Sequence, residues 1–70
     1  MLTEKQKRGF EWLYNGYSFN KECALKSKKE WRDKMMALRS AVSILGCKFV
    51  EKKIEEAYGV KYTSYRLEEE

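Results

Sequence analysis

Apolar residues in this chain recur at three- and four-residue steps, the spacing that places them on one side of a helix. The first such stripe is Gln6, Phe10, Leu13, Tyr14 and Tyr17. Thr3 and Gln6 ahead of it have the capping-box spacing, so a helix is expected over 4–15. Asn15-Gly16 then reads as its left-handed stop. The same dipeptide could instead be the two-residue turn of a hairpin, pairing Tyr14 with Tyr17 and Trp12 with Phe19. Capping and spacing favour the helix, since a lone hairpin needs a third strand.

A short helical turn is expected over 20–26, capped by Asn20. Ser27-Lys28-Lys29-Glu30 repeats the capping-box pattern, and Trp31, Met35, Leu38, Val42 and Leu45 follow at steps of four, three, four and three. That predicts a helix over 28–45. Its second half, ALRSAVSIL, carries Arg39 as its one charge, which suggests a central helix covered on two sides. Gly46 breaks the run. Phe49, Val50, Ile54 and Ala57 then suggest a third helix over 47–58, closed by Gly59. VKYTSYRL, residues 60–67, is rich in Val, Tyr and Thr and suits an extended segment. Glu68–Glu70 reads as a frayed acidic tail. The expected architecture is a single all-α domain of three helices. The alternative is an α+β fold with a small aromatic hairpin and a C-terminal strand.

Composition narrows the function more than the fold. Of 70 residues, 43% are hydrophobic and 14% aromatic, too many for a disordered chain. The chain has no histidine, so the usual general base near neutral pH and the imidazole metal ligand are both missing. Cys23 and Cys47 are too few for a zinc site. With no apolar leader-like run, they are expected as reduced thiols in a cytoplasmic setting. No glycine-rich phosphate loop precedes a helix, and the carboxylates lie among lysines on polar faces. No enzyme, cofactor or metal site is therefore expected, nor any membrane-spanning segment.

The net charge of +4 is uneven. Residues 5–39 hold ten Lys/Arg against four Asp/Glu, whereas residues 40–70 hold five against six. A basic first half points to an anionic partner. On a helix, Trp12 lies roughly opposite Phe10, with Lys5 and Arg8 beside it at three- and four-residue steps. An exposed indole flanked by cations can stack on a base or anchor a protein. Lys26, Lys28, Lys29 and Arg32 form a second cluster at a helix N-terminus, where backbone N–H groups favour phosphates.

LTEKQKRGFEWLYNGYSFNKECA resembles the opening of the helix-turn-helix domains of LuxR-type regulators and of region 4 of bacterial sigma factors. The matching positions are Leu2, Thr3, Gln6, Trp12, Leu13, Gly16, Tyr17, Ser18, Glu22, Cys23 and Ala24, within about a third of the chain. One extra residue separates Ser18 from Glu22, and Leu25-Lys26-Ser27 stands where the family has a Leu-Gly-Ile-Ser turn. The resemblance implies a regulator of transcription that reads duplex DNA with a helix starting at Ser27, presenting Lys28, Lys29 and Arg32. The chain also resembles the small accessory proteins of phages and mobile elements, which implies a host-protein partner met through helix–helix contacts. Trp12, Tyr62 and Tyr65 would then be the anchors, and the tail strand could extend a partner's sheet edge. A homodimer would supplement the small core such a chain can build.

Overall fold

The computed structural model describes residues 2–23 and 27–70. It contains helix α1 (Glu4–Cys23), helix α2 (Lys28–Ile44) and strands β1 (Cys47–Ala57) and β2 (Val60–Glu69), in that order. The fold is therefore α+β, the alternative class, and not the all-α helix-turn-helix domain expected first. Ala24, Leu25 and Lys26, the centre of the proposed turn, lie outside the described residues.

The capping box closes as its sequence implies. Gln6 N–H donates to Thr3 Oγ1 at 3.1 Å, and Thr3 N–H donates to Gln6 Oε1 at 2.9 Å. α1 does not stop at Asn15-Gly16 but runs on to Cys23. Neither hairpin nor helix stop forms at that dipeptide; the Asn15 side chain instead bonds the Tyr65 backbone in β2. α2 starts where Ser27 Oγ accepts from Lys29 N–H at 3.2 Å. It ends at Gly46, whose φ of +77° is a left-handed conformation open to glycine.

The expected third helix is β1, the first arm of an antiparallel hairpin. Its apolar residues imitate a helical stripe because Lys52 is an extra residue between the pairs Glu51↔Tyr65 and Lys53↔Ser64. A bulge of this kind breaks the two-residue alternation that would have signalled a strand. The reversal falls at Tyr58-Gly59, where φ is +52° and +76°. Positive φ at both positions is what a type I′ turn requires. VKYTSYRL is extended, within β2. The acidic end is not frayed: Glu68 and Glu69 pair with Lys48 and Cys47, and Lys7 Nζ lies 3.2 Å from Glu69 Oε1.

α1, not α2, is the central element, touching both α2 and β2. It lies along the outer edge of β2 and satisfies that edge with side chains. Leu67 N–H donates to a Glu11 carboxylate oxygen at 2.8 Å. Tyr65 N–H donates to Asn15 Oδ1 at 2.7 Å, and Asn15 Nδ2 donates to the Tyr65 carbonyl at 3.1 Å. The Ser18 hydroxyl donates to the Thr63 carbonyl at 2.6 Å. Positions 11, 15 and 18 share a helix face, and residues 63, 65 and 67 turn their free backbone groups the same way.

The apolar core is small. Val42, Cys47 and Leu67 are buried together, with Leu2, Phe10 and Phe49 packed around them. Tyr14, fully buried, stacks on Phe49 with ring centroids 3.8 Å apart and meets Tyr65 edge-on at 4.9 Å. Arg39 Nε–H donates to the Tyr14 hydroxyl at 2.9 Å, tying α2 to this cluster. Met35 and Val42 face inward as the stripe predicts, but Ile44 is 86% exposed and Ala37 and Ala41 face solvent. The idea of α2 as a helix covered on two sides is overturned.

Replacing Asn15 with alanine leaves the Tyr65 N–H and carbonyl unpaired against α1, at a cost of about 1–3 kcal/mol. Asn20→Ala removes only an exposed bond to the Gly16 carbonyl and serves as the control. Chemical denaturation of both variants checks this: the Asn15 variant loses stability and the control stays close to the parent.

Candidate nucleic-acid interface

At about 100° per residue, α1 presents distinct sides. Lys7, Glu11, Tyr14, Asn15 and Ser18 face the hairpin and core. Lys5, Arg8, Trp12 and Phe19 share another side. Lys5 and Arg8 are exposed, and Trp12 is 78% exposed. The structure thus keeps Lys5, Arg8 and Trp12 together on open surface.

The indole stands over a groove of about 410 Å³ between α1 and the hairpin tip. Gly16 lines it too, with Leu13, Tyr17, Phe19, Ala57, Tyr58 and Tyr62 as the rest of the aromatic and apolar lining. Phe19 meets Tyr62 edge-on at 5.2 Å and Tyr58 at 6.3 Å. The Tyr62 hydroxyl donates to Glu55 Oε2 at 3.0 Å. That bond holds the Glu55 carboxyl below its ordinary range and pushes the Tyr62 hydroxyl up. Lys61, next to the turn, is exposed.

Tyr58 is the unusual member. A bulky residue at positive φ is strained, and the first turn position ordinarily takes Asn, Asp or Gly. Its ring gains little burial in return, being 95% exposed. The backbone strain is thus not offset by burial of the ring, whose contact with Phe19 is edge-on.

The other sequence candidates are scattered. Lys28 Nζ lies 3.7 Å from Glu22 Oε2, and Lys29 Nζ lies 2.7 Å from Asp33 Oδ2. Arg32 is exposed on α2. Lys28 is held beside Glu22, near the end of α1 opposite Lys5 and about 25 Å from it along the helix axis. The two basic clusters therefore do not form one patch, and Lys26 lies outside the described residues. Tyr65 is half-buried against Tyr14 rather than a surface anchor. The outer edge of β2 is occupied by α1, so it is not open to extend a partner's sheet.

Phe19 and Tyr58 were missed by sequence reasoning. Phe19 lies two turns beyond Trp12 on the same side, visible only if α1 continues past Gly16. Tyr58 was taken for the end of a helix.

Cys23 and Cys47 are unpaired. Among the described residues, no cluster of acidic, cysteine or histidine side chains could hold a metal, and no helix is long and apolar enough to cross a membrane. Comparison with family models, with curated proteins and with solved structures gives no match to this chain.

Burial raises the Tyr14 hydroxyl above its ordinary pKa of 10.0, with Arg39 opposing the shift. Burial likewise raises Tyr65. A tyrosine whose folded pKa is raised contributes stability that is fully present below the unfolded value. This contribution is lost as pH climbs through the folded value. Stability should therefore begin to fall above about pH 10. A denaturation series across alkaline pH checks this, and Tyr14→Phe should flatten the fall.

Proposed function

We propose that this protein is a small, non-enzymatic nucleic-acid-binding regulator whose ligand is an unpaired strand, held on the basic, aromatic side of α1 and the hairpin tip. The observation that carries the reading is the juxtaposition of Trp12, Phe19, Tyr58 and Tyr62 around one open groove, with Lys5 and Arg8 continuing the Trp12 side of the helix. Aromatic faces accept successive bases with little sequence preference, while cations follow the backbone. A duplex is the weaker fit, because its bases are already stacked and the aromatic groove would have nothing to receive. The exposed, strained Tyr58 ring supports the same reading, as a stacking surface held ready at the tip. The unpaired thiols support a reducing, cytoplasmic setting.

Each cation engaged releases counterions, so affinity should fall steeply with salt. The test is titration of a Trp31→Phe variant, in which Trp12 is the sole indole, with an oligothymidine and with a duplex of equal length. The expected result is strong quenching by the single strand at low salt, with weaker binding of the duplex. Lys5→Glu with Arg8→Glu should abolish most of the affinity. Lys28→Glu with Lys29→Glu should cost less, because those ammonium groups already lie beside Glu22 and Asp33. Tyr58→Asn should stabilise the fold and weaken binding together. A folded protein that binds neither ligand at low salt overturns the proposal.

A further inference from the structure

The side of α1 about 100° from Trp12 is largely apolar and only partly covered, with Leu13 and Tyr17 half-buried. Gly9 and Leu13 of α1 and Leu45 after α2 line one open groove of about 620 Å³, together with Leu2, Gln6 and Phe10. A second groove of about 280 Å³, lined by Tyr17, Lys34, Ala37, Leu38 and Ala41, lies between the two helices. Among the described residues, Lys34 is the one charged residue lining either groove. Ile44 adds a nearly bare isobutyl-sized side chain at the end of α2. We infer that this two-helix face is the contact between two copies of the chain, packed as an antiparallel helical dimer about a two-fold axis.

The surface area favours this occupant. The chain exposes 5200 Å², against about 4,600 Å² for a compact protein of its mass. The excess is of the order of one partner's share in a standard interface, about 800 Å². Stability argues in the same direction. Five hydrophobic residues are buried among those described, and a chain this small ordinarily needs a disulfide, a metal or association to hold its fold. Its cysteines are free and no metal cluster is present among the described residues, and association is a further support such a chain can draw on. The face is also suited to meeting itself. With one cation in its lining it brings little like-charge repulsion to a two-fold contact, although each copy carries a net charge of +4. Ala37 and Ala41 are small enough to let two α2 helices approach closely. Gly9 fits the same reading. Glycine within a helix is destabilising relative to alanine, and a methyl added here would meet nothing within 4 Å in its own chain. The missing side chain leaves open space on this face.

The experiment is sedimentation of the whole chain up to millimolar concentration, beside Ala41→Glu and Ala37→Glu. Both positions are exposed in α2, and circular dichroism checks that each variant stays helical. The parent should sediment at twice its 8.4 kDa mass. Its thermal midpoint should rise with concentration. Each variant should weaken association by about tenfold or more, since two carboxylates then meet across the axis. A monomeric parent with a concentration-independent midpoint overturns the inference. So does a dimer that both folded variants leave intact.

Discussion

An unpaired strand edge is a row of backbone donors and acceptors that something must satisfy. In this protein a helix does it. Glu11, Asn15 and Ser18 reach from successive turns of α1 to the amides and carbonyls of Leu67, Tyr65 and Thr63. A two-stranded hairpin alone is marginal in water. Here it gains a polar third rail in register with its own backbone. The same contacts fix how α1 is rotated about its axis. With positions 11, 15 and 18 turned toward β2, Phe10 and Tyr14 reach the core. Lys5, Arg8 and Trp12 are turned to solvent, and Gly9 and Leu13 are left on the remaining side. The proposed binding surface is thus a consequence of how the edge is capped.

The distribution of burial follows from that arrangement. Apolar packing concentrates where α1, the end of α2 and the base of the hairpin meet, around Val42, Cys47 and Leu67. Tyr14 links this region to both sides, stacked on Phe49 and accepting a hydrogen bond from Arg39. Away from the junction, α2 and the hairpin tip project with little cover. Among the described residues, Ile44, beside that junction, and Tyr58, at the hairpin tip, are the most exposed large hydrophobic side chains. The two proposed contacts lie on adjoining sides of α1, since Leu13 and Tyr17 line the groove beside Trp12 and also the grooves of the two-helix face.

Much of the helical part was legible in the sequence, and the physical reasons are local. Thr3 with Gln6 announces the start of α1, and Ser27 announces α2, because caps act within one turn. Met35 and Val42 are identifiable as inward by spacing alone. Of the hairpin, β2 was legible in VKYTSYRL, whereas β1 and the turn were not. β1 carries charged residues at most positions, its alternation is broken at Lys52, and its turn uses Tyr58 where a more telling residue would be Asn or Asp. The true Asn-Gly pair lies inside α1, where Asn15 serves the edge of β2 some 50 positions away in sequence. No local rule reveals that partner. The site divides in the same way: Lys5, Arg8 and Trp12 follow from helical spacing, whereas Phe19 and Tyr58 depend on a longer helix and on the hairpin.

Amide hydrogen exchange at Tyr65 and Leu67 tests the edge-capping most directly. Both N–H groups point away from β1 and would face water on an open edge. Capped by Asn15 and Glu11, they should exchange as slowly as the amides paired within the hairpin. Exchange at the rate of an unprotected amide, in a protein otherwise folded, would contradict the placement of α1 and with it the orientation of every surface described above.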